Sequence, residues 1–163
     1  MKGAYYMQKI TPHLWFDDNA EDAIEFYTSI FKNSRIIHIT RYGKGGPSYE
    51  GNVMSATFQL EDQEFTALNG GPYFKFNEAI SFLVSCKNQK EIDYYWDALT
   101  ADGGAESMCG WLKDKFGVSW QVVPASLQLL LSGPDQERSA NVTKAMLKMK
   151  KIDLKTLEKA YNQ

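Results

Sequence analysis

Soft metal-ligating side chains are scarce in this chain: 163 residues include two cysteines and two histidines. Cys86 and Cys109 are too few for a disulfide framework, and their spacing matches no zinc pattern, so both are expected reduced and buried. No His stands near Cys109 in sequence, so that thiol is not expected to act as a nucleophile. Long apolar runs are also missing. No stretch of about 18 apolar residues occurs, and the first residues, MKGAYYMQK, lack the apolar core of a signal peptide. The expectation is a cytoplasmic protein with no membrane partner. Neither sign of charge dominates: 18 Lys and Arg stand against 20 Asp and Glu, a net charge of -2, which gives no electrostatic reason to bind nucleic acid. What the chain does have is apolar mass. Its 44% hydrophobic and 13% aromatic content supports a packed interior and excludes disorder.

The periodicities then mark out elements in order. Ile10 to Phe16 reads as a strand, with His13 and Trp15 on one face and Leu14 and Phe16 on the other. Asn19 has the character of a helix N-cap, followed by Ala20, Ala23, Ile24, Tyr27, Ile30 and Phe31 at helical spacing. Arg35 to Tyr42 alternates and is β-branched, which predicts a second strand. The glycine-rich loop 43–51 runs through Pro47, Ser48 and Tyr49 into a further strand rather than a helix, so it is not expected to cradle phosphate. Val53 to Leu60 and Glu64 to Asn69 form a hairpin about Glu61-Asp62-Gln63. Asn69-Gly70-Gly71-Pro72 is a break.

The same order begins again at Ala79. Ile80 to Lys87 reads as a strand, Asn88 as a cap with Glu91 three residues on, and Ile92, Tyr95, Trp96 and Leu99 as a helical stripe. A short strand over Ala105 to Met108 precedes the hairpin CGWLKDKFGVSWQVVP, Cys109 to Pro124. With Asp114 to Gly117 as its turn, Lys113 is expected opposite Val118, Leu112 opposite Ser119, Trp111 opposite Trp120 and Gly110 opposite Gln121. That register makes the two tryptophans a cross-strand pair and leaves Gln121 facing either a cavity or solvent. Ile24 falls on Ile92 and Phe31 on Leu99, an offset of 68 that also carries His13 onto Ser81. The chain thus contains two copies of strand, helix and three strands.

The expected fold is α+β: two tandem βαβββ modules, about 8–72 and 79–124, in one domain, with curled mixed sheets around a central cavity and a helical tail over about 125–163. In the tail, Asp135 is expected to cap a helix bearing Val142, Ala145, Met146 and Met149, and Leu154, Leu157 and Tyr161 continue after Asp153. These stripes need cover, either on the outside of the sheets or on a second subunit, so a homodimer is expected.

The segments PHLWFDDNAEDAIEFYTSIF, CGWLKDKFGVSWQVVP and AMLKMKKIDLKTLEKAY, within this duplicated pattern, resemble the vicinal oxygen chelate superfamily of glyoxalases and extradiol dioxygenases. Within it they resemble the PhnB-like group, often labelled 3-demethylubiquinone-9 3-methyltransferase domains. The resemblance implies two U-shaped sheets and, in metal-dependent relatives, a divalent cation held by residues of the first and last strands of each module. The positions carried over are His13, Thr66 or Asn69, Ser81 and Gln121. Only His13 and Gln121 are plausible ligands, no carboxylate is among them, and a tightly bound metal is not expected. His38 reads as a hydrogen-bonding residue of a strand. Methyl transfer from S-adenosylmethionine is not expected either, because none of the glycine clusters at 43–46, 70–71 and 103–104 lies in a strand–turn–helix context.

A small-molecule ligand is therefore expected in a pocket of His13, Trp15, Asn69, Ser81, Leu83, Ser85 and Gln121, which combines apolar area with a few orienting polar groups. No cofactor is predicted. If there is catalysis, His13 is the candidate acid or base. A metal-dependent lyase, isomerase or dioxygenase and a non-catalytic dimeric binding or resistance-type protein are the alternatives.

Overall fold

In the computed structural model, which describes residues 8–46, 48 and 50–163, the chain forms two compact units, Met1–Lys75 and Phe76–Gln163. The reading of the first seven residues and the passage of Pro47 and Tyr49 into a strand lie outside the described residues.

The first unit consists of strand β1 (His13–Phe16), helix α1 (Ala20–Ile30), and strands β2 (Ser34–Arg41), β3 (Val53–Leu60) and β4 (Gln63–Asn69). The sheet order is β1-β4-β3-β2, with β1 parallel to β4 and the other pairs antiparallel. Period-2 alternation sets its two faces. Leu14, Phe16, Phe58, Phe65 and Ala67 are buried on one side, where the helical stripe of Ala20, Ala23, Ile24, Tyr27 and Ile30 meets them. Tyr27 stacks on Phe58 at a ring-centroid distance of 6.3 Å, and Phe58 on Phe65 at 5.4 Å.

One expectation fails here. Asn19 makes no side-chain cap. The first amide of α1, Ala20 N, donates instead to Asn69 Oδ1 at 2.9 Å, and Asn69 Nδ2 donates to the Val53 carbonyl at 2.9 Å. The orphan donor of a helix start needs an acceptor, but a neighbour across the sheet serves as well as the preceding residue. Asn69 thereby fastens the ends of β4, β3 and α1 together.

The second unit repeats the pattern with β5 (Phe82–Cys86), α2 (Gln89–Thr100), β6 (Ala105–Glu106), β7 (Trp111–Lys113) and β8 (Ser119–Pro124), in the sheet order β5-β8-β7-β6. Ile92, Trp96 and Leu99, each at most 1% exposed, cover Leu112, Trp120 and Val122. Asn88 caps α2 as expected, accepting from Glu91 N at 3.1 Å, while Glu91 Oε2 accepts from Lys87 N at 2.8 Å.

The β7–β8 hairpin corrects the expected register by one residue. Lys113 lies opposite Ser119, Leu112 opposite Trp120 and Trp111 opposite Gln121. Its loop takes in Val118, because Asp114 N donates to Val118 O and the Asp114 carboxylate gathers Phe116 N, Val118 N and Trp120 Nε1. A slip of one sends alternate side chains to opposite faces. Trp120 therefore lies under α2 with Leu112, Trp111 lies on the other face beside Gln121, and the two tryptophans are not a pair.

The tail forms α3 (Leu127–Leu131), α4 (Gln136–Met146) and α5 (Leu154–Tyr161), with Asp135 and Asp153 as side-chain N-caps. It docks on its own unit. Cys109 N and Gly110 N donate to the carbonyls of Met149 and Lys150, both at 2.8 Å. Cys86 is buried as expected, but Cys109, in the turn before β7, is only half-buried. Gln89 clamps the next turn, donating to Ile152 O at 3.0 Å and accepting from Leu154 N at 2.8 Å. Lys151 pairs with Asp93 and Asp97, and Ile152 is fully buried. Ile152→Ala is expected to destabilise the protein by about 2–5 kcal/mol in urea denaturation, as for other buried aliphatic truncations; a loss well under ~1 kcal/mol would show that the tail is not part of the core.

Candidate functional site

Once each helix has covered one sheet face, the opposite face is left for chemistry. In the first unit that face carries a row set by the register: His13 on β1, Thr66 on β4, Thr57 on β3 and His38 on β2. Three strand spacings put the two histidines roughly 14 Å apart, too far to share an ion. His38 shares a hydrogen bond with Thr40 Oγ1 at 3.2 Å, as a polar residue of a strand would.

Trp15 stands two residues from His13 on the same face and is held firmly. Its Nε1 donates to Gly71 O at 2.8 Å, its ring meets Phe74 edge-on at 5.0 Å, and the indole lies so close to Gly70 that a Cβ there would fall 2.2 Å from it. Position 70 must be glycine for this reason. Asn69 points the other way, toward α1, with both ends of its amide taken up.

In the second unit, Leu83 and Ser85 of β5 are exposed, Leu83 by 60%. Gln121 lies between Leu83 and Trp111 in register, and its Nε2 donates to Ser81 Oγ at 2.9 Å. The expected pocket residues thus fall into two groups, His13 with Trp15 on one unit and Ser81, Leu83, Ser85 and Gln121 on the other, while Asn69 belongs to the helix side. Sequence reasoning passed over Ser119, which shares the face of Gln121 by strand alternation, and over Trp111 and Lys113, which join that face only in the observed register.

Several charged groups of the two units are paired. Arg41 Nη2 lies 2.6 Å from Glu21 Oε1, and that hydrogen bond holds the Glu21 carboxyl below its ordinary range. Glu106 is held low first by Trp96 Nε1, at 3.0 Å, and then by Lys150. Burial pushes the Cys86 thiol up to about 12, so it is no nucleophile at neutral pH.

The strand order β1-β4-β3-β2 recurs as β5-β8-β7-β6, so the chain carries two tandem copies of one βαβββ module. Residues 8–123 match the family described as 3-demethylubiquinone-9 3-methyltransferase. The chain belongs to that family. A PhnB protein from Bacillus cereus, described as a putative 3-demethylubiquinone-9 3-methyltransferase, is 43% identical over 72% of this chain and 100% of its own, with a TM-score of 0.67. Protein PA1353 from Pseudomonas aeruginosa shares the fold at 21% identity and a TM-score of 0.60, over 72% of this chain and 98% of its own. A glyoxylase/bleomycin resistance protein/dioxygenase domain from Frankia is also similar, at 13% identity, 73% and 93% coverage and a TM-score of 0.47. No curated protein matches the chain. The PhnB-like assignment expected from the sequence stands.

Two groups that this family implies can be tested against the side chains. At the cation positions, Asn69 is occupied by backbone, Ser81 and Gln121 bond each other, and His13 is next to Thr66. Among the described residues no three His, Cys, Asp or Glu side chains come together as a metal site. This donor set does not fit a tightly held divalent cation, which needs anionic or imidazole ligands in number. A methyl donor of the nucleoside type fits no better. Among the described residues the three strand-to-helix connections, Asp17 to Asn19, Lys87 to Asn88 and Ala125 to Ser126, contain no glycine and so lack the close backbone approach such a site uses. Among the described residues no helix is long and apolar enough to cross a membrane.

Proposed function

We propose that this PhnB-like protein binds a small, partly apolar or aromatic metabolite on the sheet faces turned away from α1 and α2, without a tightly bound metal. The observation that carries the reading is similar on each unit: a large apolar side chain at least partly exposed beside a few polar groups, half-buried Trp15 with His13 and exposed Leu83 with Ser81 and Gln121. If the ligand is transformed, His13 is the acid or base, the one titratable group among the residues of these two clusters.

The test is thermal denaturation against a metabolite library. A ligand that binds only the native state raises the melting temperature. At about 100 times its dissociation constant the rise is several degrees. Trp15→Ala is expected to weaken any such ligand at least about tenfold, and His13→Ala to abolish turnover while leaving the melting temperature nearly unchanged. A full library without a hit, or near one equivalent of Zn, Fe, Ni or Mn in protein purified without added metal, would overturn the proposal. The protein is taken to be cytoplasmic, where the free thiols of Cys86 and Cys109 stay reduced. It is also taken to be a homodimer, which the exposed Tyr73, Phe74 and Ile80 support and light scattering can check.

A further inference from the structure

We propose that the second unit holds a subsite for a small carboxylate, built from Lys113, Ser119 and Trp111. This deepens the reading above and rests on it for the sheet face used. A pocket of about 270 Å³ opens over β6, β7 and β8, and Glu78, Glu106, Trp111, Lys113 and Ser119 are among its lining residues. That volume lies just below the usual range for small-molecule sites and suits a ligand of few heavy atoms.

Ser119 is 1% exposed, and its Oγ has no hydrogen-bond partner. A buried hydroxyl left unpaired destabilises the fold, so its presence in a pocket lining points to a partner supplied from outside. The other such hydroxyl among the described residues, Ser139, sits in α4 and does not line the pocket.

Lys113 is the cross-strand neighbour of Ser119, so both side chains leave the sheet on one face within reach of one ligand group. Its ammonium is paired with Glu78 at 2.5 Å, and the Glu78 side chain is 63% exposed. A carboxylate therefore already occupies the anion position beside Lys113, borrowed from the exposed segment before β5. An incoming carboxylate takes the Lys113 ammonium and accepts from Ser119 Oγ, while Glu78 swings into water, where it is fully solvated. Trp111 offers a flat apolar wall for the body of the ligand. The remaining lining carboxylate, Glu106, is already bonded by Trp96 Nε1 and Lys150. An amine ligand is disfavoured, since the charge anchored in a strand is Lys113 and its partner Glu78 is an exposed residue outside the sheet.

Calorimetric titration of the full chain with sodium benzoate, and with benzamide as the uncharged isostere, tests this directly. Benzoate is expected to saturate one site with a dissociation constant of about 1 mM or tighter, and benzamide to bind at least about tenfold more weakly. Lys113→Gln should weaken benzoate about tenfold or more, and Glu78→Gln should strengthen it several-fold by removing the competitor. Ser119→Ala gives a signature that a merely structural residue would not: benzoate binds several-fold more weakly, yet the unliganded protein melts about 2 °C higher because an unpaired hydroxyl is gone. Equal affinity for benzamide, unchanged binding in Lys113→Gln and Ser119→Ala, preference for inorganic phosphate over benzoate, or no saturation at about 50 mM benzoate would each overturn the subsite. If benzoate fails while a library ligand still depends on Trp15, the subsite falls and the wider reading survives.

Discussion

Asp114→Ala is expected to remove about 3–5 kcal/mol of stability, enough to unfold much of the second unit. The residue is 3% exposed and works as the hub of the β7–β8 loop. Its Oδ1 accepts from Phe116 N at 2.9 Å and Val118 N at 3.0 Å, and its Oδ2 from Trp120 Nε1 at 2.8 Å. Alanine leaves the Val118 and Trp120 donors buried without an acceptor, and each unsatisfied donor costs about 1–3 kcal/mol. Asp114→Asn keeps the shape and one acceptor but turns an N–H toward the Trp120 N–H or a loop amide, so it should fall between wild type and alanine. Urea denaturation followed by tryptophan fluorescence reads both. A loss under ~1 kcal/mol for the alanine variant would mean that the loop holds its shape without the carboxylate.

Gly110→Ala is the second large effect, and its cause is backbone rather than charge. Gly110 has φ of +81, and an added Cβ would lie 2.8 Å from Val122 O, 3.1 Å from Ile152 Cγ1 and 3.3 Å from Val123 Cγ1. The nearest of these atoms belongs to the strand that accepts Gly110 as a partner, since Val122 N donates to Gly110 O at 2.8 Å. Relief requires moving β8 away from the segment onto which Met149 and Lys150 fasten the tail. The left-handed conformation costs alanine about 1–2 kcal/mol, and the clash with packed backbone about 1–3 kcal/mol more. Gly117→Ala is the matched control. It has φ of +86 with nothing within 4 Å of the added carbon, so only the conformational cost of about 1–2 kcal/mol should appear. Equal melting temperatures for the two variants would show that the contact with β8 and the tail does not matter.

Much of this architecture was readable from residue order because burial imposes a period. The stripe from Ala20 to Ile30 and its echo at Ile92, Trp96 and Leu99 are cause and sign of the same thing: one helix face against one sheet face. The duplication followed, and with it the family. The hairpin register was not readable in the same way. Gly117 does take the positive φ expected of it, but loop length was decided by a side chain, Asp114, reaching three donors at once, and turn-residue statistics do not count such bonds. That one-residue error placed Trp111 and Lys113 on the face opposite to Ser119 and Gln121. The cap of α1 was missed for a related reason: Asn69 is 50 positions from Asn19 in sequence and reaches Ala20 N across the sheet, a contact that no local pattern announces.

The way the tail fastens onto Cys109 and Gly110 also sets a timetable for synthesis. Every strand of the first unit, and its helix, has been made once residue 69 is complete, and Asn69 is the residue that fastens them. The second unit must wait for Met149, Lys150, Ile152 and Leu157 before its core can close. At elongation rates of about 5–20 residues per second, the nascent chain carries an assembled first half and an unfinished second half for several seconds. During that interval the apolar strands β5 and β8 stand without their full cover, so this half of the polypeptide is the one that calls for chaperone protection on the ribosome.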